Sequence, residues 1–160
     1  MLRELAGTIL LVTANRERDE VQGLRVVSDL LPGAGPLGGL YTAIRAASPA
    51  RALVVACDMP FLTAPFLRRL VAAAAGVDAV VPRTADGYHP LCAVYAPSAA
   101  EPIRRRIESG RLKVIDALAD LRVREIGPEE IAPYDPDGIL FFNVNTPDDY
   151  QRALRLPVRR

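Results

Sequence analysis

The chain has 160 residues, half of them hydrophobic and 24% charged, which is one domain's length with enough apolar content for a core. Twenty Lys and Arg against nineteen Asp and Glu leave a net charge of +1, so no broad basic surface for nucleic acid is indicated. Two cysteines (Cys57 and Cys92) and one histidine (His89) give neither a zinc-ligand spacing nor a Ser-His-Asp set, no apolar run reaches membrane-span length, and both thiols are expected buried and reduced in a cytoplasm.

In chain order, Met1–Ala6 carries a helical fragment too short to stand alone. Thr8–Thr13 is an apolar strand ending in the polar Ala14-Asn15-Arg16, and Glu17–Gln22 is a charged surface segment. Leu24–Ser28 is a short strand closing in Asp29. Leu31–Leu40 holds four of the chain's eleven glycines. A helix is expected from Gly38 onward, so this stretch reads either as a plain loop or as a glycine-rich loop feeding a helix N-terminus, which favours anions. Gly33–Gly38 formally fits G-x-G-x-x-G, but Leu31-Pro32 precedes it and Pro36 lies within it, so the dinucleotide fingerprint is weakly supported.

Ala52–Leu62 opens with an uninterrupted apolar run that reads as a doubly buried parallel strand. It ends in Cys57-Asp58, and Pro60 blocks its continuation. A carboxylate at the carboxyl end of such a strand sits where open α/β sheets bind ligands, although an isolated Asp can equally cap a turn. Thr63 and Pro65 start a helix with an apolar face of Phe66, Leu67, Leu70, Val71 and Ala74, which ends before Gly76. Ala79–Val81 is a strand, Arg83–His89 a polar loop and Leu91–Tyr95 a further strand; Arg83–Tyr95 departs from the alternation and is expected to contribute an antiparallel piece. Helices are predicted over Ala99–Ser109 and Lys113–Leu121, an edge strand over Arg122–Ile126, a loop over Glu129–Pro136 and a strand over Ile139–Asn143. Thr146, Pro147 and the two following carboxylates mark a capped helix start. Asn143 and Asn145 flank Val144, and alternation puts both amides on one face.

Alternating strands and helices indicate an α/β fold: three-layer, Rossmann-like, with a mostly parallel twisted sheet, one antiparallel element and helices on both faces. Asn15-Arg16, Asp29, Gly33–Gly39, Asp58 and Asn143/Asn145 all come from strand ends or the loops after them, which such a sheet gathers into one crevice. The residues supply carboxylates for a hard cation, amides for recognition and arginines for phosphate, without a paired nucleophile and base. Mg²⁺ favours one or two carboxylates plus substrate phosphates, and phosphoryl-type transfer proceeds by positioning and charge neutralisation. Asp58 as a Mg²⁺ ligand fits that chemistry.

Five stretches carry a family resemblance: Val12–Arg16; Val27-Ser28-Asp29 leading to Gly35–Gly39; Cys57–Phe61; Tyr88–Leu91; and Phe142–Asp148. The chain resembles the molybdenum cofactor guanylyltransferases, within the nucleotide-diphospho-sugar-transferase-like nucleotidyltransferases. The resemblance implies transfer of GMP from Mg-GTP to molybdenum-bearing molybdopterin with release of pyrophosphate. By position it implies that Asn15 and Asp29 contact the nucleotide, and that Gly35, Pro36, Gly38 and Gly39 border its pocket. Asp58 would then be the catalytic group, holding Mg²⁺ beside the nucleotide, with His89, Asn143 and Asn145 toward the pterin. Molybdenum-insertion or cofactor-delivery proteins are the implied partners.

The chain departs from the family at its start. Nothing in Met1–Gly7 matches the family's Gly-Gly phosphate loop with its lysine, and Lys113, the only lysine, is remote. The expectation is a single domain over 1–160, N-terminally truncated relative to the family, in which Thr8–Thr13 has an unpaired neighbour position. A non-catalytic cofactor-binding module, or transfer of a cytidylyl or sugar-phosphate group, remains as an alternative.

Overall fold

A computed structural model describes residues 2–14, 20–21 and 23–157. A single 3₁₀ turn, Leu2–Glu4, precedes strand β1, Leu10–Thr13. Strands β2, Glu20–Val21, and β3, Leu24–Ser28, follow. β1 pairs with β3 in parallel, Leu10 opposite Arg25 through Thr13 opposite Ser28, and β2 lies antiparallel on the other side of β3.

Helix α1, Gly35–Ala47, leads to β4, Ala52–Val55, and helix α2, Ala64–Ala72, to β5, Ala79–Thr84. The helix α1 starts three residues earlier than expected, so Gly35 and Pro36 open it and Gly38 closes its first turn. Pro36 explains the early start, because its fixed φ and missing N–H suit a helix's first positions. Strand β6, Gly87–Tyr88, folds back on β5, and β7, Cys92–Tyr95, runs antiparallel between β4 and β5. Helix α3, Ala100–Glu108, helix α4, Val114–Ala117, strand β8, Val123–Ile126, and helices α5, Pro128–Ile131, and α6, Pro147–Ala153, complete the chain.

Because β7 opposes both β4 and β5, while β8 is parallel to β5, the strands β4, β5 and β8 all point one way. The expected antiparallel element is therefore β7, extended by the short β6 hairpin. The fold is the α/β arrangement the sequence indicates, with helices on both faces. Alternate residues of β5 and β7 divide between two cores. Ala79, Val81, Ala93 and Tyr95 face Leu37, Leu40, Ile44 and Ile103 of α1 and α3. Val80, Cys92 and Val94 face Phe66, Leu67 and Leu70 of α2, with Ile131 of α5. This period-2 division makes three layers.

Several local expectations are corrected. Arg83–His89 is not a loop but the tip of a hairpin, Arg83 opposite Tyr88 and Thr84 opposite Gly87, with Gly87 at φ +116°. Glu129–Pro136 contains α5 and a 3₁₀ turn over Ala132–Tyr134. Ile139–Asn143 is not a strand. The Asp135 carboxylate takes the backbone N–H groups of Ile139 and Leu140, at 2.8 and 2.9 Å, and so removes donors that a ladder would need. Val71 faces solvent, 45% exposed, although it falls within the apolar face expected of α2. Leu53–Val55 of β4 are only partly buried, and among the described residues β4's one hydrogen-bonded neighbour is the antiparallel β7, so the doubly buried parallel strand expected there is not formed. Cys92 is fully buried, and burial pushes its thiol up to about 12, but Cys57 is exposed, because it lies past the end of β4.

Candidate active site

Asp58 follows β4 and is held there by its own backbone, whose carbonyl accepts the Val144 N–H at 2.8 Å. That bond brings the Asn143–Asn145 segment against the end of β4. Asn143 and Asn145 are both exposed while Val144 turns inward, so the two amides point outward as alternation suggested, although no strand is formed. Phe61 and Phe142 meet edge to face at 5.9 Å and tie the Met59-Pro60-Phe61 turn to the same segment.

His89 joins this group through Phe141, on which its ring stacks at 4.0 Å between centroids and 17° between planes. Its Nε2 lies 2.9 Å from the Thr84 hydroxyl across the hairpin. The backbone holds the ring in place: His89 N–H donates to Pro82 O at 2.9 Å, and Cys92 N–H donates to His89 O at 3.0 Å. Burial lowers the His89 pKa, opposed by the Asp86 charge, so the neutral imidazole is favoured. A groove of about 450 Å³, lined by Arg83, Glu125, Pro128, Ile131 and Asp135, opens beside Thr84.

Asp29 forms a second group. It is 8% exposed, and its Oδ1 accepts from the Thr42 hydroxyl of α1 at 2.8 Å and from the Leu31 N–H at 3.0 Å. Gly38 sits under it: a Cβ there would lie 2.8 Å from Leu31 O and 3.0 Å from both Ala34 Cβ and Asp29 Oδ2. Gly38 is thus required for close packing, whereas Gly35 and Pro36 are exposed at the start of α1 and Gly39 is partly buried. Asn15 lies outside the described residues.

The structure therefore ties Asp58 and His89 to the segment that carries Asn143 and Asn145, through Val144 and Phe141, and holds Asp29 with Gly38 around the first turn of α1. Sequence reasoning missed Phe141, Thr84 and Thr42, which position His89 and Asp29. An aromatic pair next to Asn143 was the one available signal; Thr84 and Thr42 depend on contacts no spacing shows.

Asp58 Oδ1 is buried and has no hydrogen-bond partner among the described residues. A buried carboxylate oxygen left without a donor is costly, and such an atom at a strand end points to a ligand that completes it. Among the described residues no three His, Cys, Asp or Glu side chains are grouped to hold a metal by themselves. A single carboxylate instead fits a hard cation whose other ligands are water and substrate oxygens.

The family model for the MobA-like NTP transferase domain matches residues 1–123. The chain belongs to that family. It is a nucleotidyltransferase by family, as the five resembling stretches implied. It is 36% identical over 160 residues to a probable molybdenum cofactor guanylyltransferase of Pelotomaculum thermopropionicum, covering 96% of this chain and 78% of the relative. A molybdenum cofactor guanylyltransferase of Desulfosudis oleivorans is 32% identical over 146 residues, covering 90% and 72%. The crystal structure of molybdopterin-guanine dinucleotide biosynthesis protein A from Archaeoglobus fulgidus superimposes with a TM-score of 0.78 at 34% identity, covering 90% of this chain and 75% of that one. No helix among the described residues is long and apolar enough to cross a membrane.

Proposed function

We propose that this chain transfers GMP from Mg-GTP to the terminal phosphate of molybdopterin carrying molybdenum. A terminal phosphate oxygen of the pterin forms a bond to the α-phosphorus of GTP, the bond from that phosphorus to the bridging oxygen breaks, and pyrophosphate leaves. The observation that carries this reading is the orphaned Asp58 Oδ1 at the end of β4, in a chain similar to molybdenum cofactor guanylyltransferases.

Asp58 would hold the divalent cation, with Mg²⁺ the ion its oxygen donor suits. A cation there neutralises charge on the phosphates of the nucleotide. The other roles belong to the chain's own groups. His89, neutral and stacked on Phe141, offers a planar surface beside the exposed Asn143 and Asn145 amides, a set suited to a heteroaromatic ring with hydrogen-bonding edges. Asp29, with Asn15 and the Gly35-Pro36 start of α1, is assigned to the nucleotide. Its carboxylate suits the paired N1–H and 2-amino donors of guanine, and Gly38 and Gly39 let the helix backbone lie close to it.

Calorimetric titration of the 160-residue chain with GTP in Mg²⁺, with CTP as comparator and Asp58→Ala alongside, tests the reading. We expect GTP binding that needs Mg²⁺, exceeds that of CTP and weakens at least about tenfold in Asp58→Ala, a loss of about 1.4 kcal/mol. Equal binding of the two nucleotides would remove guanine from the proposal, and equal binding by Asp58→Ala would remove the cation role.

The non-catalytic alternative is favoured by a specific observation: the Asp29 and Asp58 groups follow strands of two different sheets. Nucleotide binding with no transfer to the pterin would support it.

A further inference from the structure

Thr42 is fully buried, and it is the one hydroxyl among the buried residues of α1, which are otherwise Leu37, Gly38, Leu40 and Ile44. A buried hydroxyl is costly unless it is hydrogen-bonded, and a valine of the same shape would fill the same space without that cost. Here both its donor and its acceptor are used, and the direction of each bond is fixed. The Leu30 N–H can only donate, so the Thr42 Oγ1 accepts it, at 2.9 Å. The single hydroxyl proton then goes to Asp29 Oδ1, at 2.8 Å.

The Asp29 carboxylate is thereby divided. Its Oδ1 also accepts the Leu31 N–H at 3.0 Å, so two donors of the protein end on that oxygen. Among the described residues no donor reaches Oδ2. Oδ2 lies over the first turn of α1, where a Cβ on Gly38 would come within 3.0 Å of it. Gly38 and Thr42 are four residues apart and share a helix face. One leaves room for Oδ2 while the other holds Oδ1. Fastening β3 to α1 needs only Oδ1, which an asparagine would also supply. The second oxygen is what a carboxylate adds.

We propose that Thr42 is a positioning residue for the choice of base: by holding Oδ1 it fixes Oδ2 as the acceptor for the N1–H and 2-amino group of guanine. The proposal rests on the assignment of Asp29 to the nucleotide made above. Guanine's two donors lie side by side and converge on one fixed oxygen. Cytosine places its amino donor next to the N3 lone pair, so an oxygen fixed for guanine meets one donor and one acceptor that repels it. A carboxylate free to rotate would turn from N3 toward the amino group and discriminate less. Selectivity thus depends on a hydroxyl that touches no substrate.

Calorimetric titration with Mg-GTP and Mg-CTP, read as the ratio of the two affinities, is the test. A loss of folded chain affects both nucleotides alike and cancels in the ratio. Thr42→Val removes the hydroxyl at constant shape, and Thr42→Ala removes it without crowding; either suffices if the other does not fold. In both, the preference for GTP is expected to fall about tenfold, the size of one hydrogen bond to a charged group. Thr42→Ser keeps the hydroxyl and is expected to keep the parent's ratio. Asp29→Asn keeps Oδ1 with its two bonds, replaces Oδ2 by a donor, and is expected to lose the preference. If Asp29→Asn loses it while Thr42→Val and Thr42→Ala retain it, Thr42 only fastens α1 to β3 and the proposal is overturned, with guanine left to Asp29. An unchanged ratio in Asp29→Asn would overturn it from the other side, because the base is then read elsewhere. A parent chain that prefers neither nucleotide removes guanine from the function proposed above, and this inference with it.

Discussion

Asp58 and His89 carry opposite burdens on folding. The Oδ1 of Asp58 is buried without a donor, so the carboxylate costs stability in the absence of a cation. Replacing it with Ala removes that cost. We expect Asp58→Ala to match or exceed the parent chain's Tm without ligands, and to lose the Tm increase that Mg-GTP gives the parent. A Tm several degrees lower without ligands would mean that Asp58 is held by the fold rather than kept for a ligand. His89 is stabilised neutral by burial, its folded pKa lying below the unfolded value near 6.5. Its contribution is therefore complete above about pH 6.5 and is lost as pH falls through the folded pKa. Denaturation in urea at pH 7.5 and pH 5 is expected to show a smaller acid loss in His89→Gln than in the parent. Gly38 is a third case, since a Cβ there meets the Leu31 carbonyl at 2.8 Å. Gly38→Ala is expected to cost about 1–3 kcal/mol in the same assay, the range for forced overpacking.

At the scale of elements, the start of β5 is tied to that of β8 by one carboxylate. Asp78 accepts from the Arg122 backbone N–H, Nε and Nη2 at 3.0, 2.9 and 3.0 Å, and from the Ser98 hydroxyl at 2.6 Å. The Arg122 guanidinium, then Ser98, hold its carboxyl well below the usual carboxylate range. That contribution is present above the unfolded value near pH 4 and fades below it. Asp78→Ala is expected to cost about 0.5–1.5 kcal/mol at pH 7, because it removes several bonds at once but leaves the Arg122 donors, 73% exposed, open to water. Helix α6 behaves differently. Its capping box was legible in the sequence, and the Thr146 hydroxyl indeed accepts the Asp149 N–H at 3.1 Å while Asp149 returns a bond to Thr146 N–H at 3.0 Å. Local chemistry of this kind reads directly from residue spacing. The strand expected over Ile139–Asn143 does not, because Asp135 takes its amides from four and five positions upstream and outbids the apolar pattern. The same holds for the site: Asp58, Asn143 and Asn145 declare themselves by residue type at strand or helix ends, whereas Phe141 against His89 is a tertiary contact with no local signature.

For the whole molecule, the two sheets have unequal claims on the core. Buried side chains of β5 and β7 serve both clusters, while β1 and β3 serve neither, so the five-stranded sheet holds most of the hydrophobic stabilisation. Helix α1 packs on both sheets and is the principal link between them. Its own buried residues Leu37, Leu40 and Ile44 face the α3 side, within the core of the larger sheet. Losing β1 and β3 from under α1 therefore sacrifices little buried surface, and the three-stranded sheet should open in a sub-global step of its own. Native-state exchange in increasing urea is expected to release the amides of β1 and β3 at lower denaturant than those of β5 and β7. Leu40→Ala, which loosens α1 within the larger core, should lower the second transition by about 2–5 kcal/mol, the range for a buried Leu truncation. Leu11→Ala should move only the first. One coincident transition for all strands would show instead that α1 couples the sheets fully. Substrate binding across the Asp29 and Asp58 groups would then need no further joining of the two halves.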